Sequence, residues 1–206
     1  MSKLSNAQKY HLKYKIAVSG AAESGNCSDY ALEKAREIGK EIVKQGAVLV
    51  TGATTGIPYW AAKGTKEEGG ISIGVSPAAS ERDHVKKYRL PIDYFDIMIY
   101  TGFEYSGRNL LMTRAADAVI VICGRMGTLN EFTIAFEDHK AIGVLLGTGG
   151  TADMLREIVA RAHRGPGKIV YDDNPKKLVE RLLKIIKKEK MADVVKQRIL
   201  ARQGKI

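Results

Sequence analysis

The sequence lacks any uninterrupted apolar run near the roughly 20 residues that a membrane-spanning helix requires. Its opening stretch, Met1 to Lys15, is polar and has no apolar core of signal-peptide type, so a cytoplasmic location is the expectation. Cysteine is scarce. Cys27 and Cys123 stand far apart, and neither belongs to a C-x-x-C pair or a Cys/His cluster. No zinc site and no disulfide framework can be read from them, and two reduced thiols are expected. The four histidines, His11, His84, His139 and His163, are isolated and read as surface residues rather than ligands. No metal and no cofactor is expected. Repeats and low-complexity segments are also absent.

What is present describes an ordinary globular chain. Hydrophobic residues make up 45% and charged residues 27%, a balance that argues against disorder. A length of 206 residues suffices for one domain, 1–206, with a sizeable core. The net charge of +10 is unevenly spread. Asn174 to Ile206 holds eleven Lys/Arg against three acids, a net of +8, which leaves +2 for the rest. The basic helical tail, about 175–206, has two readings. It is an anionic-surface or nucleic-acid contact, or the solvated face of a closing helix, and the second is preferred.

Short apolar runs alternate with helical periodicity. Strands are expected at Lys15–Ser19, Ala47–Val50, Ile71–Val75, Asp96–Tyr100, Ala118–Ile122, Ile142–Leu146 and Ile169–Tyr171. Helices are expected at Tyr30–Lys44, Pro58–Glu68, Arg108–Ala116, Thr128–Glu137, Ala152–Arg161, Pro175–Lys188 and near Ala192–Ala201, with Ser76–Pro91 a polar loop that has room for a helical turn. Strands this apolar, each followed by a helix, are buried on both faces. The expectation is an α/β, Rossmann-like doubly wound parallel sheet with helices on both faces. Right-handed crossovers place every strand-to-helix loop on one edge, where ligands of such folds bind.

Three of those loops are rich in glycine and hydroxyl groups: Ser19–Gly25, Thr51–Gly56 and Cys123–Thr128. Small residues let backbone N–H groups approach a phosphate, and a following helix N-terminus adds partial positive charge. The phosphate-binding candidates are Gly20, Gly52, Thr54, Gly56, Gly124, Arg125, Gly127 and Thr128. Thr128 is placed to cap its helix, and Thr128-x-x-Glu131 has the spacing of a capping box. Glu131 is therefore either a structural cap or a carboxylate facing the ligand, and position alone does not decide. Arg108, opening the preceding helix, suits a bidentate phosphate contact, although such a residue is often only a surface arginine.

The segments Gly107-Arg108-Asn109, Ala116-Asp117-Ala118 and Gly124-Arg125-Met126-Gly127-Thr128-Leu129-Asn130-Glu131 together resemble the LONELY GUY (LOG) family, often labelled lysine decarboxylase-like, and its molybdenum-cofactor carrier relatives. The resemblance spans about residues 15–147. It implies a nucleotide-binding fold and, in the LOG enzymes, cleavage of the N-glycosidic bond of a nucleoside 5′-monophosphate to free base and ribose 5-phosphate. Carried over, Gly124, Gly127 and Thr128 would hold phosphate, Glu131 would bind the ribose hydroxyls and assist water, and Arg108 would steady the phosphate and departing base. The catalytic candidates are thus Arg108 and Glu131.

Three positions depart from the family pattern. Cys123 replaces the motif's proline, Arg125 its second glycine, and Asn109 stands where the enzymes carry lysine. Arg125 either adds a phosphate contact or fills the pocket. Pro58-Tyr59-Trp60 is also unusual after the second loop. The leading expectation is a LOG-like phosphoribohydrolase, and its alternative a non-enzymatic carrier or binder of a phosphorylated nucleotide or pterin. Nucleic-acid binding ranks third. Lysine decarboxylation is not expected, because no lysine falls within the three loops to form a Schiff base. Leu129–Glu137 carries Phe132, Ile134, Ala135 and Phe136 on more than one side, so an exposed patch there and a homodimer or larger homo-oligomer are expected.

Overall fold

The structure is a computed structural model that describes residues 12–202, with side chains described as far as residue 192. His11 and the start of the N-terminal segment lie outside the described residues. Seven strands alternate with seven α-helices: β1 Lys15–Gly20, α1 Ala31–Lys44, β2 Val48–Thr51, α2 Ile57–Glu67, β3 Ser72–Ser76, α3 Glu81–Lys86, β4 Ile97–Tyr100, α4 Glu104–Ala115, β5 Ala118–Ile122, α5 Met126–Glu137, β6 Ala141–Leu145, α6 Leu155–Ala162, β7 Ile169–Asp172 and α7 Pro175–Arg202. A 3₁₀ turn, Gly150–Met154, precedes α6. No described helix is long and apolar enough to cross a membrane.

All seven strands pair in parallel, in the order β4-β3-β2-β1-β5-β6-β7. The order reverses direction between β1 and β5, so the loops leaving those two strands diverge and open a crevice. Alternation along the central strands divides the core. Ile16, Val18, Ile120 and Ile122 face α1, α2 and α7, whereas Ala17, Val119 and Val121 face α4, α5 and α6. Both faces of β1 and β5 are therefore dry, which is why their sequences read as continuous apolar runs.

Several expectations need correction. The stretch from Pro175 onward is one 28-residue helix rather than two. The helical turn expected in the Ser76–Pro91 loop is the six-residue α3, capped by the Ser80 side chain accepting from the Asp83 amide at 3.2 Å. His84 is fully buried, not a surface residue. Its Nε2 donates to the Pro91 carbonyl at 3.0 Å, and its Nδ1 pairs with the Ser76 hydroxyl at 2.8 Å. Cys27 and Cys123 form a disulfide with Cα atoms 5.5 Å apart. The two cysteines are 96 residues apart in sequence, but they sit in the loops that follow the adjacent strands β1 and β5. Adjacency in the sheet, which no local spacing reveals, brings them within bridging distance.

The exposed apolar surface also lies elsewhere than expected. On α5, Phe132 and Ala135 are buried and only Met126 is an exposed large apolar residue. The exposed side chains cluster instead at the β4 edge and α4: Ile97, Ile99, Phe103, Tyr105 and Leu111.

Candidate functional site

At the switch point a cavity of about 580 Å³ opens above the C-terminal ends of the strands. Of the residues expected at a site, it is lined by Gly20, Thr54, Arg108, Arg125, Gly127, Thr128 and Glu131. Gly52, Gly56 and Gly124 do not line it and shape it from behind. A Cβ on Gly52 would collide with the Arg108 guanidinium, so glycine there makes room for that arginine. Gly124 has φ of +102°, a conformation reserved for glycine, and a Cβ would strike the Thr128 side chain.

The helix after the third loop starts earlier than the Thr-x-x-Glu spacing indicates. Arg125 is its N-cap residue and makes no side-chain cap, so the capping box does not form. The first intrahelical bond runs from the Leu129 amide to the Arg125 carbonyl at 3.0 Å. The amides of Met126, Gly127 and Thr128 therefore precede the hydrogen-bonded ladder, at the positive end of the helix dipole. A Cβ on Gly127 would meet nothing within 4 Å, so this first turn is open to the cavity.

Freed from capping, Glu131 points inward. Its carboxylate accepts a hydrogen bond from the Ser19 hydroxyl at the end of β1. Burial pushes its pKa up, opposed by the Arg108 charge and the Ser19 hydrogen bond. Arg108 is also buried, and burial pulls its pKa down while Glu131 opposes. Its Nη1 donates to the carbonyls of Gly52 and Val75, and its Nε to Asn109 Oδ1 at 3.1 Å. Asn109 Nδ2 in turn donates to Asn130 Oδ1 at 3.0 Å on α5. Asn109, where the LOG enzymes carry lysine, thus fixes the arginine against the neighbouring helix. Its role was not visible in the sequence, because the contact crosses two elements.

Arg125 neither fills the pocket nor is free. It pairs with Glu23 at 2.8 Å across the mouth, both side chains exposed. The loop beneath it is braced on two sides. Asn26 Nδ2 donates to the Gly124 carbonyl at 3.1 Å, and the disulfide ties Cys123 to the same β1 loop. From the β6 side, the Thr148 hydroxyl accepts from the Cys123 amide at 2.8 Å and the Thr151 amide reaches the Gly124 carbonyl at 3.1 Å. Tyr59 and Trp60 have no place in the cavity. Tyr59 packs edge-on against Tyr94, and Trp60 packs on the core beneath Lys63.

Residues 13–179 match the SLOG cluster4 family. The chain belongs to that family. It is 30% identical over 131 residues to an uncharacterized protein of Archaeoglobus fulgidus, covering 64% of this chain and 81% of the other. It is similar in structure to the molybdenum cofactor binding protein of Rippkaea orientalis, with 26% identity, a TM-score of 0.69, and coverage of 87% of this chain and 98% of that one. It is similar also to the Moco carrier protein of Chlamydomonas reinhardtii, with 26% identity, a TM-score of 0.68, and coverage of 86% and 99%. The family match is to SLOG cluster4 and does not single out the LOG family that the motifs resemble.

Proposed function

We propose that this SLOG protein binds a phosphorylated, nucleotide- or pterin-like small molecule and holds it intact. The observation that carries this reading is the cavity in which the first-turn amides of α5 meet the buried Arg108 and Glu131. The amides and helix dipole favour an anion, and the arginine adds a fixed positive charge behind it. Gly127 and Thr128 hold the phosphate, and Arg125 closes the mouth with Glu23. Two similar structures bear names that describe a molybdenum cofactor binder and a Moco carrier, which supports binding over turnover.

The state of Glu131 favours the same choice. N-glycosidic cleavage passes through an oxocarbenium-like state that a carboxylate stabilises only when ionised. Burial raises the pKa of Glu131 against the opposing Arg108 charge and Ser19 hydrogen bond, which makes its ionised form costlier than that of an exposed carboxylate. The second reading, a phosphoribohydrolase, draws on that same shift, since a carboxyl kept protonated can give its proton to a departing base. One experiment separates them. The protein is incubated with a panel of nucleoside monophosphates, binding is followed by calorimetry, and the mixture is resolved by chromatography. Bound nucleotide recovered intact is the expected result. Free base with ribose 5-phosphate establishes hydrolysis, and no response to any phosphate-bearing compound overturns the site.

The β4 edge supports a proposed homo-oligomer. An edge strand of a parallel sheet normally has both faces covered, yet Ile97 and Ile99 are half exposed beside Phe103 and Leu111. A second copy of this chain would cover them.

A further inference from the structure

The wall of the cavity opposite α5 is built from residues that the phosphate site does not use: Tyr88, Arg89 and Leu90 after α3, and Tyr105 on α4. The Tyr88 and Tyr105 rings meet edge to face with centroids 5.8 Å apart, and the Arg108 guanidinium lies 5.8 Å from the Tyr105 centroid. Tyr105 is 47% exposed. Half of its surface is thus left for a planar ligand beside the apolar Leu90. Arg89 makes no hydrogen bond or ion pair with a described residue. Its φ of +54° is the left-handed conformation in which helices commonly end on glycine, and the Leu90 amide closes the turn onto the His84 carbonyl at 3.1 Å. This turn places Arg89 in the cavity lining. The buried His84, bonded to Ser76 and Pro91 on either side, anchors the turn to the sheet.

A guanidinium offers donors only. A ring that pairs with it bidentately must present two adjacent acceptors, as the O6 and N7 edge of guanine does. The corresponding carbonyl and ring nitrogen of an oxidised pterin have the same layout. An adenine edge does not, since its exocyclic amine is a donor.

We propose that Tyr88, Arg89, Leu90 and Tyr105 form a ring subsite selective for a fused oxo-heterocycle, a 6-oxopurine or a pterin, over an aminopurine. The ring stacks on Tyr105, Arg89 reads its two acceptors, and the phosphate reaches α5. The proposal rests on the phosphate-binding reading above. It extends that reading by naming the chemical class of the other end of the ligand.

Equilibrium titrations test it, with inorganic phosphate, ribose 5-phosphate, AMP, GMP and 6-hydroxymethylpterin monophosphate as probes, together with guanosine and 6-hydroxymethylpterin. Two variants are compared with wild type. Arg89→Asn keeps a residue that tolerates the left-handed backbone, and Arg89→Lys keeps the charge without the fork. Wild type binds at least one oxo-heterocycle phosphate about tenfold or more tighter than AMP, in line with the discrimination of one bidentate pair. Whichever of GMP and the pterin phosphate binds tighter identifies the source. Both variants reduce the preference to within about twofold, the loss expected when that bidentate pair is removed, and leave ribose 5-phosphate affinity unchanged. Equal affinity for AMP and GMP with no gain for the pterin, or a preference that survives in both variants, overturns the subsite while leaving the phosphate site standing. Arg89-dependent binding of guanosine or 6-hydroxymethylpterin without any binding of phosphate or ribose 5-phosphate supports the subsite and overturns the phosphate reading instead.

Discussion

Arg108 and Glu131 bring opposite charges into one buried cavity, yet each spends its hydrogen bonds elsewhere, on backbone carbonyls and on Ser19. Their coupling is electrostatic and acts in a medium that screens poorly. Removing one charge therefore leaves the other unbalanced. Arg108→Met is expected to destabilise the protein by about 3 kcal/mol, the range for breaking a buried pair. Arg108→Met with Glu131→Leu is expected to recover most of that loss. Urea denaturation of wild type, Arg108→Met, Glu131→Leu and the double variant reads this directly, and additive losses would show the two charges to be independent. The same residues separate binding from chemistry. If free base is released by wild type, Glu131→Gln lowers turnover by about two orders of magnitude while nucleotide affinity changes little, because the sugar's charge develops only in the transition state. Arg108→Ala weakens both, since its contact is made in ground and transition states alike.

At the scale of an element, the residue that leads into β5 shows how a position in a family motif can serve the fold. Asp117, within the Ala116-Asp117-Ala118 signature, lies at the opposite edge of the sheet from the cavity. Its Oδ2 accepts from the Lys15 amide at 2.8 Å, and it pairs with Lys15 and Lys190, each at 3.2 Å. It clamps the starts of β1 and β5 together and holds α7 across them. Burial pushes its pKa up, but the Lys15 amide and the two lysines outweigh that and hold it below the usual aspartate range. The clamp's contribution is thus present above the unfolded value and lost as pH falls through the lower folded one. Asp117→Asn should cost about 1 kcal/mol at pH 7, discounted for partial solvent screening. The cost should shrink steadily below about pH 4, near the unfolded carboxylate value. A pH-independent difference in melting temperature would mean that shape, not charge, makes the clamp.

For the whole molecule, the disulfide and the β4 edge carry the expectations. A bridge closing a loop of 96 residues restricts the unfolded chain strongly, and native disulfides of this kind contribute about 2–4 kcal/mol. Cys27→Ser with Cys123→Ser should lower the melting temperature by about 10 °C, given a few degrees per kcal/mol at this size. Alkylation of the unreduced protein followed by mass measurement should find neither thiol reactive. Complete alkylation without reductant would show the bridge absent. At the β4 edge, Ile99→Lys with Leu111→Glu should convert a homo-oligomer into a monomer by light scattering, with the fold retained by circular dichroism. A wild type that is already monomeric at micromolar concentration ends that proposal.

The sequence by itself determined the succession of strands and helices and the parallel sheet, because dry strands and amphipathic helices write their periods directly into the chain. It also placed the glycine loops at one edge, since right-handed crossovers permit only that edge. Cys27 with Cys123, Asn109 with Asn130, and Glu131 with Ser19 were decided by tertiary structure alone. Each pair joins residues from different elements or the loops that follow them, and which strands are neighbours is not encoded in any local period. The reading of Glu131 turned on the same fact. A helix with its N-cap at Arg125 instead of Thr128 leaves the carboxylate without a capping role, and only the packing of α5 against β1 gives it the buried Ser19 partner that draws it into the cavity.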